Sequence, residues 1–347
     1  MLTTTAQALL VAATLVGSAP EVVEVPAVRE TAPVGSAEDA ADDPAIWVHP
    51  ADPARSVVIG TDKQAGLAVY DLSGELLQFL PCGRVNNVDV RQSPDGAGHV
   101  VASNRTDDSI VVAVLDPSSR RLDIRWVIPT DLEEIYGICA ALTPAEDGQD
   151  LHIIANDKSG RVQHRVWRRA GGVSSIVLAR EFHVGSQPEG MVADETHGWL
   201  YVGEENAGVW RYPLDPGAAP ERTLVDAVRP VGDHLTADVE GLTLVRHGDG
   251  SGYLVVSSQG SDRFVAYDRE TGAHAFTFRV IGESGIDGVT ETDGIDATAR
   301  PLGPDFPRGL LVVQDDENPG AHQNFKYVSW ADVLEAAGHV GRGAHEN

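Results

Sequence analysis

The chain carries 26 Lys and Arg against 52 Asp and Glu in 347 residues, a formal charge of −26 at pH 7. So negative a field excludes nucleic acid and anionic membrane surfaces as partners, because both are gripped through a basic face. With 42% hydrophobic residues the chain can still bury a large core, and an anionic ligand has to be received through bound cations or a local basic cluster.

In chain order, the run ALLVAATLV at 8–16 followed by Gly17, Ser18 and Ala19 has the apolar stretch and small-residue end of an export signal, although no Lys or Arg precedes Arg29. It is too short to cross a bilayer as a helix. Residues 1–22 are therefore read as a signal peptide or leader, 23–340 as the folded domain and 341–347 as a tail, with a secreted or periplasmic location expected. The apolar run at 22–28 hints at a strand that completes the last structural unit. Cys82 and Cys139 lie far apart in no metal-binding or redox spacing, and read as isolated small apolar residues, with one disulfide between them as the alternative.

From residue 42 onward, short runs of Val, Ile, Leu and Tyr alternate with Gly, Asp, Asn and Pro, the pattern of strands and turns. Six apolar runs that end in a polar cluster line up: VVIGTDKQAGLAVYDL from Val57, VVASNRTDDSIVVAVLD from Val100, HIIANDKSGRVQHRVW from His152, LYVGEENAGVWRYPL from Leu200, LVVSSQGSDRFVAYD from Leu254 and LVVQDDENPGAHQNFKYV from Leu311. Their starts are 43, 52, 48, 54 and 57 residues apart, near the repeat length of a four-stranded propeller blade. A shorter strand precedes each: DDPAIWV at 42, NNVDV at 86, YGICAAL at 136, PEGMVAD at 188, DVEGLTLV at 238 and TDGIDA at 292. Only 330–337 reads as a turn or two of helix. The expected fold is all-β, a six-bladed β-propeller.

Consecutive strands of a blade run antiparallel, so the start of the first and the end of the second share one rim. That rim gathers Asp42, Asp43, Asn86, Asn87, Tyr136, Glu189, Asp238, Glu240 and Asp293 with Lys63, Arg105, Lys158, Glu204, Glu205, Asp315, Asp316 and Glu317. Asp and Asn at strand ends are ordinarily turn formers. The lysines argue for more: of only three, Lys63, Lys158 and Lys326, two occupy the same phase of different units. Carboxylates converging in this way must either take up protons or bind cations. Hard oxygen donors without His or Cys suit Ca²⁺, and since no EF-hand loop is present the ligands would come from separate blades.

The motifs DDPAIW at 42–47, NNVDVR at 86–91, EGMVADE at 189–195, DVEGLTL at 238–244, TDGID at 292–296 and QNFKYVSW at 323–330 together resemble the β-propeller phytases, a calcium-dependent alkaline phytase family, in unbroken order over about residues 30–330. The resemblance implies hydrolysis of myo-inositol hexakisphosphate (phytate) by a metal-activated water at neutral to mildly alkaline pH, in a monomer. It implies Lys63, Arg105 and Lys158 as phosphate-binding cations and Tyr136 as a hydrogen-bond donor. Ligands of substrate-bridging calcium would be Glu189, Glu205, Glu240, Asp287 and Asp238. Structural calcium would be held by Glu30, Asp39 and Asp43 with the carbonyls of Pro44 and Val88, and by Asp293, Asp315, Glu317 and Asn318. Ser159 and Gln64 depart from the family pattern, which has an acidic residue and a second Lys at these places. Two other readings compete: a propeller lactonase with one central calcium, whose neutral substrate needs no cationic trio, and a non-catalytic rim-binding module, which would need exposed aromatic anchors. Arg246-His247-Gly248 begins like a histidine acid phosphatase signature, but Asp249 to Gly252 follow and it reads as a hairpin turn.

Overall fold

Strands Ala41–Trp47, Val57–Asp62, Gly66–Asp71 and Leu76–Pro81 form the first of six antiparallel sheets, joined by turns at Asp, Asn and Gly that interrupt each apolar run. The computed structural model describes residues 22–146, 148–170 and 173–338. The expected leader up to residue 21 and the tail at 341–347 lie outside the described residues. Blade 2 comprises Val85–Gln92, Gly98–Asn104, Ser109–Asp116 and Arg121–Pro129, and blade 3 Ile135–Ala145, Gly148–Asp157, Arg161–Ala170 and Val173–His183. Blade 4 comprises Pro188–Asp194, Trp199–Glu204, Gly208–Pro213 and Thr223–Ala227, and blade 5 Val239–Arg246, Gly252–Ser258, Arg263–Asp268 and His274–Ile281. This is the six-bladed β-propeller that the repeat predicts.

Each sheet is apolar on both faces, so each must be covered twice. Six core clusters meet that need, one at every seam. Trp47, Ile59 and Val69 of blade 1 pack on Val88, Val100 and Ala113 of blade 2. At the seam that closes the ring, Val312 and Phe325 of blade 6 pack on Val58 and Tyr70 of blade 1. A short helix, Trp330–Ala336, is capped by Ser329 and buries Trp330, Val333 and Leu334 against blades 5 and 6.

Closure differs in detail from the expectation for 22–28. Blade 6 takes its first three strands, Ile295–Thr298, Leu310–Asp315 and Asn324–Ser329, from the C-terminal part of the chain. Its outer strand is Arg29–Glu30, paired antiparallel with Tyr327 and Lys326. Val22–Pro26 instead lies parallel to His274–Ile281 as a fifth strand on blade 5. The apolar run thus clips one blade while the two polar residues after it complete the next. Cys82 and Cys139 are both free thiols, Cys139 buried. Residues 247–251 form the expected turn, with the Gly250 amide donating to the His247 carbonyl.

The innermost strands position the chemistry. In blades 1 to 5 the register between first and second strands slips by one residue, between Ala41 and Pro44, Val85 and Val88, Ile135 and Ile138, Pro188 and Met191, and Val239 and Leu242. A bulge of this kind re-aims a side chain. The first residue inside each slip is Asp42, Asn86, Tyr136, Glu189 or Glu240, and Asp293 holds the corresponding place before the inner strand of blade 6. The next residue is Gly in blades 3 to 6 because adjacent inner strands nearly touch. A Cβ on Gly137 would lie 1.9 Å from the Glu189 carbonyl oxygen, and one on Gly190 2.2 Å from that of Glu240. Gly137→Ala should therefore force the seam between blades 3 and 4 apart at a cost of about 2 kcal/mol or more. Scanning calorimetry should show a clear fall in Tm, whereas Gly35→Ala, whose nearest neighbour would be 3.8 Å away, should leave Tm within a degree or so.

Candidate active site at the channel mouth

The three same-phase cations sit inside turns of one design. The side-chain Oδ1 of Asp62 accepts from the Gln64 amide (3.2 Å), that of Asn104 from Thr106 (3.0 Å) and that of Asp157 from Ser159 (2.9 Å). Each turn fixes the residue between, Lys63, Arg105 or Lys158, at the rim. Ser159 and Gln64, the two departures, serve these turns: Ser159 Oγ donates to Asp157 (2.6 Å) and Gln64 donates to the backbone carbonyls of Ala37 and Asp39.

The three cations share a place in the repeat but not a set of partners. Lys63 Nζ lies 2.5 Å from Asp39, 3.1 Å from Asp42 and 3.0 Å from Asp293, with its side chain only 11% exposed. Burial works against its charge, but Asp42 and Asp293 outweigh burial and hold its pKa above the ordinary lysine range. Arg105 Nη1 instead donates to the neutral amide oxygen of Asn86 (3.0 Å). Lys158 Nζ sits 4.6 Å from the centre of the Tyr136 ring, and the Arg105 guanidinium carbon lies 5.9 Å from the same ring. Among the described residues neither Arg105 nor Lys158 forms a close ion pair, although Lys158 lies near enough to Glu205 for its charge to favour that carboxylate. Two cations beside one aromatic ring are thus available to an anion.

Opposite them, Glu189, Glu205 and Glu240 each present an oxygen within 4.8 Å of the others, all three side chains buried. Asn86 Nδ2 donates to Glu189 Oε1 (2.9 Å) and Gln187 donates to Glu205 Oε1 (2.6 Å). Asp238 adjoins Glu205 closely enough for its charge to disfavour that of Glu205. Burial pushes Glu240 well above the usual carboxylate range, with repulsion from Glu189 second. Burial raises Glu189 and lifts Glu205 to about 7; it also lifts Asp42 and Asp293 to about 7, Lys63 pulling both back. Glu240 Oε2 and Asp42 Oδ1 are buried with no hydrogen-bond partner. Orphaned carboxylate oxygens in an all-oxygen, electronegative nest fit a hard divalent cation such as Ca²⁺.

Of the other sequence-predicted ligands, Asp287 is not at this mouth. It pairs with the fully buried Lys326, which also lies 2.6 Å from Glu30 and 3.2 Å from Asp315. Asp293, grouped from sequence with structural calcium, stands at the mouth beside Lys63. Asp39 joins the Lys63 cluster. Asp43, Pro44 and Val88 line one cavity of about 30 Å³ in the channel, where Val88 donates its N–H to Asp43 Oδ2 (3.0 Å). Glu317 and Asn318 lie on the loop after Leu310–Asp315, the Asn318 amide donating to the His322 carbonyl (2.7 Å). Sequence reasoning assigned no role to Asn86, Gln187 or Lys326. Repeat phase pointed to Asn86, but nothing in a single sequence links Lys326 to Glu30.

The raised carboxyl groups set a pH dependence for the metal-free protein. With folded-state pKa values near 7 against ordinary values of 3.8 for Asp and 4.5 for Glu, the folded chain holds protons that the unfolded chain has released. The contribution of these groups to stability therefore falls as pH rises from about 4 to about 7, and the penalty is complete above that window. In a chelator at pH 8, Glu240→Gln should raise Tm by roughly 2 °C or more, with a smaller effect at pH 5. It should also shrink the rise in Tm produced by added calcium. Thermal unfolding at both pH values checks this, and a lower metal-free Tm at pH 8 would contradict it.

Comparison with known proteins agrees with this geometry. The chain is 38% identical over 333 residues to a curated 3-phytase of Bacillus subtilis (strain 168), covering 91% of this chain and 86% of that one. The crystal structure of regucalcin from Agrobacterium tumefaciens, a calcium-binding protein, superposes with a TM-score of 0.53 at 15% identity, covering 89% of this chain and 97% of that one. That likeness concerns the fold alone. The sequence model of the Phytase family matches residues 1–342, and the chain belongs to that family.

Proposed function

We propose that the protein is a calcium-dependent phosphomonoesterase that hydrolyses phytate to lower inositol phosphates and inorganic phosphate. The 38% identical 3-phytase supports the substrate class. The observation that carries the reading is the pairing, at one mouth, of three buried glutamates with two cations that form no close ion pair.

Arg105 presents a planar set of N–H donors to phosphoryl oxygens, and Lys158 supplies a mobile point charge beside it. Both held beside Tyr136, they favour the extra negative charge that gathers on those oxygens as the leaving oxygen departs. Tyr136 keeps its proton, because burial and the neighbouring Glu189 and Glu240 raise its pKa. Glu189, Glu205 and Glu240, with Asp238 and Asp293 close by, would hold calcium. Bound there, calcium supplies positive charge that polarises a phosphoryl oxygen and an adjacent water. Lys63 takes part only to the extent that Asp39, Asp42 and Asp293 release it. A location outside the cytoplasm and a monomeric state belong to the same proposal, the former resting on the apolar run at 8–16.

A lactonase acting on a neutral ring would leave Arg105 and Lys158 without an anion to bind. A rim-binding module would need apolar anchors at the mouth, yet large exposed apolar side chains such as Trp126, Val127, Val173 and Val177 lie on outer strands. Phosphate release from phytate, measured with calcium and with a chelator, tests the proposal, and no release in calcium would overturn it. Arg105→Ala and Lys158→Ala should each lower kcat/KM by about tenfold or more, the size of one charge-assisted hydrogen bond, while leaving calcium-dependent Tm unchanged. Lys63→Ala should cost thermal stability as well, since it strands three carboxylates.

A further inference from the structure

In each of the first three blades, the inward residue of the bulge faces the cation that ends the next strand, and the three pairs are chemically different. In blade 1 Asp42 lies 3.1 Å from Lys63, an ion pair that consumes the charge. In blade 3 Tyr136 offers Lys158 the face of its ring at 4.6 Å in place of a carboxylate. In blade 2 the pair is Asn86 and Arg105. We infer that Asn86 is a positioning residue that keeps Arg105 free for substrate phosphate by holding it apart from Glu189 through a neutral amide. The inference rests on the phytase reading above.

The amide is fixed in one orientation by its neighbours. A guanidinium can only donate and a carboxylate only accept, so Oδ1 must face Arg105 and Nδ2 must face Glu189. Those are the observed contacts: Arg105 Nη1 to Asn86 Oδ1 at 3.0 Å, and Asn86 Nδ2 to Glu189 Oε1 at 2.9 Å. The second Nδ2 hydrogen goes to Asn87 Oδ1 at 2.9 Å, which completes the donor set. Asn86 is wholly buried, so the relay is dry and its geometry is held by the ring. Were an acid at this position, Arg105 would acquire the partner that Lys63 already has in blade 1. Were the amide absent, Arg105 and Glu189 would be left as neighbouring opposite charges with nothing between them. In either case a phosphate-binding cation is lost and, in the second, a candidate metal ligand is drawn away.

The test compares Asn86→Asp, which changes one atom of the side chain, with wild type in wild-type and Arg105→Ala backgrounds. Inorganic phosphate affinity in saturating calcium and calcium affinity without phosphate are measured by calorimetry, with KM and kcat for phytate and Tm alongside. The expected result is at least tenfold weaker phosphate binding and at least tenfold higher KM, with calcium affinity undiminished and kcat changed less than KM. In the Arg105→Ala background the same substitution should change KM by less than twofold, because the group it acts through is gone. A merely structural role would lower Tm and weaken phosphate and calcium together, with the same fold-change in both backgrounds. That outcome, or phosphate affinity within twofold of wild type, overturns the inference. Should Asn86→Asp fail to fold, Asn86→Ser takes its place: phosphate and calcium should then both weaken where Arg105 is present and change by less than twofold where it is Ala, and an equal fold-change in both backgrounds overturns the inference. If wild type itself shows no calcium-dependent hydrolysis, the functional reading fails at that step, separately from the role of Asn86.

Discussion

Buried like charges at the axis of a closed ring are the constraint on which this molecule turns. Asp42, Glu189, Glu240 and Asp293 converge because the inner strands converge, and burial denies them the water that would screen them. The ring answers in three ways: protons are retained, as the raised pKa values show; a lysine is drawn in, as Lys63 is; or oxygen atoms are left without partners, as Glu240 Oε2 and Asp42 Oδ1 are. A bound divalent cation would answer the same repulsion without the protons. The strain is thus located where the chemistry is, and the apolar clusters at the six blade seams offset it.

Much of this follows from a repeat whose copies differ only at chosen places. Alternating apolar residues dictate the strands, Asx turns end the second strand of a blade, and a one-residue bulge turns one side chain inward. Glycine after that side chain lets neighbouring inner strands approach to distances that no Cβ tolerates. The scaffold therefore offers six equivalent inward positions, and chemistry is written by what occupies each. Blades 4 to 6 and blade 1 supply acids; blades 2 and 3 supply the neutral Asn86 and Tyr136 and, with them, the usable cations.

That division explains what the sequence disclosed and what it hid. Six blades, and the rim position of nearly every functional group, were legible because strand period and repeat phase are local properties. Repeat phase alone placed Asp293 at the mouth, in the copy after that of Glu240, whereas the family pattern grouped it with structural calcium. The state of each cation was not legible. Lys63 and Lys158 share a phase and both follow an Asx turn, yet the partners that consume Lys63 include Asp293, 230 positions away. Lys326 stands in the middle of a strand and looks like a solvated lysine, until Glu30 arrives from the other end of the chain. The apolar run at 22–28 is readable as a strand, but which blade edge receives it depends on where the ring closes.

Closure and mouth share one device, an ammonium among three carboxylates. Lys326 with Glu30, Asp287 and Asp315 ties the outer strand Arg29–Glu30 to blade 6, as Lys63 with Asp39, Asp42 and Asp293 ties blade 1 to blade 6. The consequences differ because exposure differs. Lys326 is fully enclosed, so removing any partner leaves a charge stranded away from water, and the cluster acts as a fastener. Lys63 stands at the edge of an open mouth where a divalent cation can compete for the same carboxylates. Orphaned carboxylate oxygens remain in both clusters, Asp42 Oδ1 at the mouth and Asp287 Oδ2 and Asp315 Oδ2 at the seam, and it is the neighbouring Glu189 and Glu240 that set the mouth apart.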